Sequence, residues 1–323
     1  MTLVAPPTTS SPAAPATPER ELGRWIAGPA LAAAITELVL LRLTTRSAIH
    51  IPGIEAVAGP YRAVSITGRY AHHAAAVLVA VTLVLLARLL AARGHRVQAA
   101  AVGAVVVASA AARLDVIDRT ALTLAVGAAV VALTASVAVS GGKRLAVPIG
   151  LFAAAFVAST VHAVVQDLAG TGDLRPRSTI GLLVVAEVML VVAALVLPGA
   201  VHARDRRAVA VGAGVGVVVF GAMAGSSATT RILLLWTFGL PGYLPAVVYA
   251  VVAGFLAAGL LGARRDSRDL AVGLGFLVAG GIGLQDSYQS ALVVCGLAML
   301  ALWSSEPGEA SRQRARTVSI PAR

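Results

Sequence analysis

Ten apolar stretches separated by short polar or basic connections run along the chain. They are Trp25–Leu43, Ala74–Leu90, Ala99–Ala112, Ala121–Ser140, Leu145–Val165, Ile180–Val201, Ala208–Ala224, Tyr243–Leu261, Leu270–Leu284 and Ala291–Trp303. A helix that crosses a bilayer needs about 20 residues, within a range of about 17–25. The third, ninth and tenth stretches fall short and need flanking residues to complete a crossing. Leu270–Leu284 with Ala291–Trp303 is read as two full spans, with a re-entrant hairpin as the alternative. The pattern predicts an all-α, polytopic membrane bundle of ten helices over residues 25–304. A disordered Pro/Thr/Ser/Ala-rich tail (1–24) precedes it and a basic tail (305–323) follows.

Three interruptions shape this reading. The stretch Thr44–Arg69 contains Pro52-Gly53 and Gly59-Pro60, which are expected to break any continuous helix and leave a loop capping one end of the bundle. Gln166–Thr179, with Asp167, Asp173, Arg175 and Arg177, reads as a second long connection at that end. After Ser226, Ile232–Thr237 is apolar but too short to cross, and Gly239, Pro241, Gly242 and Pro245 follow it. That order predicts a half-membrane or interfacial helix, a break, and then the eighth span.

Composition sharpens the class. The 323 residues are 58% hydrophobic and 13% charged, with a mean hydropathy of +0.86, well beyond a soluble domain of that length. Aromatics are only 4%, so the helices are expected to pack through Ala and Gly rather than through large rings. The formal charge of +11 does not indicate a nucleic-acid partner, because the arginines lie in short connections rather than on one face. With the N-terminus cytoplasmic, ten spans divide the 26 basic residues seventeen inside to nine outside, as the positive-inside rule requires. Both tails are then cytoplasmic, and the expected location is the cytoplasmic membrane. The lone Cys295 excludes an intramolecular disulfide or a CxxC pair.

Glu37 and Glu187 are the two acids set deep within apolar stretches. A charge at such a depth costs roughly 2.5–3.5 kcal/mol, so it needs a partner, a proton or a watery cavity. Ala30, Ala33, Ala34 and Glu37 recur at spacings of three and four and share a helix face, which directs the carboxyl into the bundle. Both glutamates are candidates for proton coupling or substrate binding; the competing role is structural, a neutral or arginine-paired carboxyl. Counted by span, they lie in the first and sixth, the first members of two five-span halves, which would suit an inverted arrangement, although no residue-level repeat links the halves.

A second group maps to the outer side: His50, His72, His73, Asp115, Asp118, His162, Asp167 and Asp286. Such residues perform acid–base chemistry or bind transition metals, but their spacing matches no HExxH or facial triad. Adjacent His72 and His73 point about 100° apart on a helix, so one of them is expected to face inward. A bis-histidine haem between His73 and His162 is the most specific version of this idea, with solvated loop residues as its alternative. Arg69, Arg113, Arg119, Arg175 and Arg177 suit either a lipid-linked phosphate or interfacial snorkelling.

The run Gly212–Gly225 lies inside an apolar span rather than at a strand-to-helix turn, so it is no nucleotide fingerprint. Gly212/Gly216 and Gly221/Gly225 read as GxxxG packing pairs, and Gly273, Gly275, Gly280, Gly281 and Gly283 read likewise. No motif calls for a cofactor or a resident metal. The expected partners are the lipid bilayer and a small-molecule substrate. The outline is similar to that of drug/metabolite-type exporters, without their sequence motifs. The leading expectation is a secondary transporter or exporter. An outer-surface enzyme acting on a lipid or lipid-linked substrate, and a non-catalytic membrane subunit, are the alternatives.

Overall fold

The computed structural model describes residues 18–37, 58–140, 143–168, 177–201, 205–225, 244–282 and 287–304. They form ten α-helices: α1 (Pro18–Glu37), α2 (Ala58–Ala92), α3 (Arg96–Arg113), α4 (Arg119–Ser140), α5 (Lys143–Leu168), α6 (Arg177–Ala200), α7 (Arg206–Gly225), α8 (Leu244–Asp266), α9 (Arg268–Ile282) and α10 (Ser287–Ser304). There are no strands among the described residues. Among the described residues, four stretches are long and apolar enough to cross a membrane: Ile66–Ala92, Arg96–Arg113, Thr120–Val139 and Leu145–His162. The described residues are therefore all-helical, and the apolar helices mark a membrane-embedded protein.

The expected break at Gly59-Pro60 does not occur, because α2 begins at Ala58 and continues for 35 residues. Pro60 is the third residue of that helix, where the missing amide hydrogen would have no intrahelical acceptor, so the ring is accommodated. The same reasoning applies to Pro245, the second residue of α8 rather than a breaker before it. At about 1.5 Å per residue, α2 is about 52 Å long and overshoots the hydrocarbon layer. Residues 44–57 of the expected cap lie outside the described residues. So do residues 226–243 with their half-membrane helix, residues 1–17 of the expected 1–24 tail, the tail 305–323 and Gly283; residues 18–24 of the first tail instead form the opening turns of α1. The connection placed at Gln166–Thr179 is shorter than expected, since α5 runs to Leu168 and α6 starts at Arg177.

Packing is organised by α10. Every side chain from Ala291 to Trp303 is buried, and α2, α3, α4 and α9 surround it. A helix apolar on all sides belongs in the middle of a bundle, and α10 occupies that place. Outside this core α1 rests on α2 and α9, α5 on α4, α6 and α9, and α8 on α6, α7 and α9. The packing does not repeat between the two five-helix halves. The first two helices, α1 and α2, pack closely, whereas their counterparts α6 and α7 share no substantial interface and both lean on α8.

Small residues set the closest approaches. A Cβ on Gly216 would stand 3.0 Å from the Ala250 carbonyl oxygen, and Gly275 receives the Leu31 side chain of α1. Gly212 and Gly216 thus form the expected packing pair on α8. Gly221 does not take part, because its Cβ position meets nothing within 4 Å. Two polar side chains inside the helices find local or interhelical acceptors, whereas Thr134 Oγ1 and Trp303 Nε1 are buried without one. Thr82 Oγ1 donates to the Leu78 carbonyl at 2.7 Å, and Gln98 Nε2 donates to Ser136 Oγ at 2.8 Å between α3 and α4.

Most consecutive helices pack against each other, α6 and α7 excepted. The α2–α3 turn uses Gly94 at a φ of +81°, a conformation that favours glycine. Alternation brings Arg88, Arg93, Arg96, Arg206, Arg207, Arg264, Arg265 and Arg268 to one end. Long-range contacts there agree: Arg265 pairs with Asp205, and Arg93 Nη1 donates to the Leu302 carbonyl at 3.3 Å.

Candidate functional site

Glu37 ends the described part of α1. Ala27, Ala30, Ala34 and Glu37 fall on one face of that helix, and each is almost completely buried. On α2 the matching face carries His72, Ala75 and Val79, at spacings of three and four, and the last two are equally buried. Small side chains on both helices allow close approach and leave room for the longer polar groups at one end of the seam. There His72 Nδ1 lies 3.5 Å from Glu37 Oε1.

The two members of this pair differ in access. The Glu37 side chain is 2% exposed and that of His72 is 39% exposed, so the imidazole links a sealed carboxyl to the outside of the bundle. At this separation the two groups make an ion-pair contact rather than a hydrogen bond. His73 is exposed and stands edge-on to His72, with ring centroids 5.6 Å apart and planes at 68°. One histidine faces inward and its neighbour outward, as helix geometry requires. Behind the seam, two turns along α2 from His72, Cys295 of α10 approaches the Val79 carbonyl with its sulfur at 3.9 Å.

The remaining sequence candidates are distributed over the bundle. Glu187 is half-buried on α6, and α1 and α6 share no substantial interface, so the two glutamates belong to different regions. His162 is buried on α5 together with Ser159, one turn earlier, and both side chains have interaction partners. α2 and α5 also share no substantial interface; His73 is exposed and His162 buried. Asp118 caps α4, its Oδ1 accepting the Ala121 amide at 2.7 Å, which satisfies a donor in the first turn. Asp115 lies exposed in the preceding turn with a φ of 55°. Asp167 falls in the last turn of α5. His50 and Asp286 lie outside the described residues, as do Arg175 and Asp173. Among the described residues no three His, Cys, Asp or Glu side chains gather into a metal-binding group.

The sequence pointed to Glu37 and His72 separately, one as a midplane acid and the other as part of an outer cluster. The structure makes them one site. Each ends a buried stripe of its own helix, Ala30/Ala34/Glu37 on α1 and His72/Ala75/Val79 on α2, but neither stripe carries the register that joins them.

Comparison with protein-family models, with curated proteins and with solved structures gave no match to this chain.

Proposed function

We propose that the protein is a proton-coupled secondary transporter of a small molecule in the cytoplasmic membrane, with ten helices crossing and both termini on the basic, cytoplasmic side. The observation that carries this reading is the buried Glu37 carboxyl held 3.5 Å from the half-exposed His72 imidazole. A proton entering through His72 neutralises Glu37, and its release restores the charge, so occupancy of the pair biases α1 between two positions against α2 and α9. Alternating access of this kind needs a helix whose seating depends on one titratable contact and otherwise on small side chains. The face of α1 formed by Ala27, Ala30 and Ala34 has that composition. Glu187 is a second, independent candidate for substrate binding. The outer-surface enzyme and the non-catalytic subunit have no comparable pairing among the described residues in their favour.

The test is uptake into proteoliposomes across an imposed pH gradient, screened over small amines, organic acids and sugars. The wild type accumulates at least one class in a gradient-dependent way. Glu37→Gln abolishes that dependence, and His72→Ala displaces its pH profile. Full gradient-driven uptake by folded Glu37→Gln would overturn the proposal.

A further inference from the structure

Four exposed arginines meet at one corner of the bundle. Arg206 and Arg207 open α7, and Arg264 and Arg265 close α8; Arg268, which opens α9, turns its guanidinium toward Gly28 of α1 instead. The register is fixed by Gly212, whose Cβ position meets Gly254 and Ala258. Six residues before Gly212 and seven beyond Ala258 lie Arg206 and Arg265, at the same level of two antiparallel helices. Asp205 is engaged with Arg265. Among the described residues Arg206, Arg207 and Arg264 have no acidic partner.

The surface adjoining this charge is apolar. On α7, Val209, Val211, Val217 and Val218 are exposed, and between α6 and α7 the outward side of α8 leaves Val251 and Phe255 exposed. Positive charge at one level and open aliphatic surface directly beyond it match an amphiphile with an anionic head. A soluble anion would use only the arginines. A second copy related by a two-fold axis along the membrane normal would bring the same arginine corner against itself, a like-charge contact.

We propose that this corner seats an anionic phospholipid, with its phosphate among Arg206, Arg207 and Arg264 and its acyl chains along the exposed valines of α7. The lipid then acts as mortar for α7, a helix whose substantial protein contact is with α8 alone. This inference is independent of the transport reading.

The experiment is native mass spectrometry of the full chain in detergent, with phosphatidylglycerol and phosphatidylcholine of identical chains. The wild type is expected to retain phosphatidylglycerol preferentially. The triple substitution Arg206→Gln, Arg207→Gln, Arg264→Gln should lower that affinity on the order of a hundredfold, since each basic residue near a lipid surface is worth about 1 kcal/mol. Substituting Arg113→Gln at the opposite end should leave it unchanged. If the triple variant does not fold, salt titration of the wild type replaces it: the preference must fall as ionic strength screens the contact. Equal retention of the two lipids, unaltered binding by the folded triple variant, or complete displacement by millimolar inorganic phosphate would overturn the proposal. So would a lipid-free dimer that buries this corner.

Discussion

A Cβ built on Gly212 falls 2.6 Å from the carbonyl oxygen of Gly254, and one built on Gly254 falls 2.9 Å from that of Gly212. The two glycines exclude side chains from each other's position, and the α7–α8 spacing depends on both. Gly212→Ala is therefore expected to destabilise the protein by about 1–3 kcal/mol through overpacking against backbone. Gly221→Ala meets open space and should be neutral, or gain up to about 1 kcal/mol in helix propensity. Thermal unfolding in detergent measures both. An equal loss from the two substitutions would contradict this packing.

The central hairpin is a harsher site. A Cβ on Gly296 would stand 2.6 Å from the Gly273 carbonyl oxygen and 2.8 Å from the Leu277 amide nitrogen. Because α10 is enclosed on every side, it has no free direction in which to shift, and Gly296→Val should abolish accumulation of folded protein. The readout is the monodisperse fraction in size-exclusion chromatography, with Gly103→Val as the control, since Gly103 meets nothing within 4 Å.

Arg93 closes the last turn of α10 by donating to the Leu302 carbonyl, where a cation also meets the negative end of the helix dipole. Arg93→Gln should cost about 1 kcal/mol of stability. Arg93→Lys should recover part of it. Identical melting temperatures for wild type and Arg93→Gln would show that the contact contributes nothing.

Cys295 is fully buried. A membrane-permeant maleimide is expected to leave it unmodified in the folded protein and to modify it completely after denaturation in dodecyl sulfate, as read by intact mass. Rapid labelling of folded protein would place α10 at the periphery and refute the core described here.

Much of the bundle was legible because bilayer crossing imposes length and hydropathy on each segment. Of the finer packing, the Ala30/Ala34/Glu37 stripe and the Gly212/Gly216 pair were readable from their spacing on a helix. Other features were not. Gly59-Pro60 has the composition of a turn and is accepted by α2 only because it falls within the first three residues, a matter of helix phase that composition does not encode. Gly221/Gly225 has the same spacing as Gly212/Gly216, yet Gly221 faces away, since spacing defines a face and not its neighbour. The Glu37–His72 contact needs the relative register of two helices, which no local pattern contains.

The enclosed position of α10 bears on how the protein is made. The last of the described helices to leave the ribosome is the one that every inner neighbour packs against, so α2, α3, α4 and α9 are synthesised before their shared partner exists. Until it arrives, lipid or an insertion factor must occupy the gap. Assembly then finishes with a late docking event, which makes a stalled or truncated nascent chain a more serious fault here than in a bundle built outward from its first hairpin.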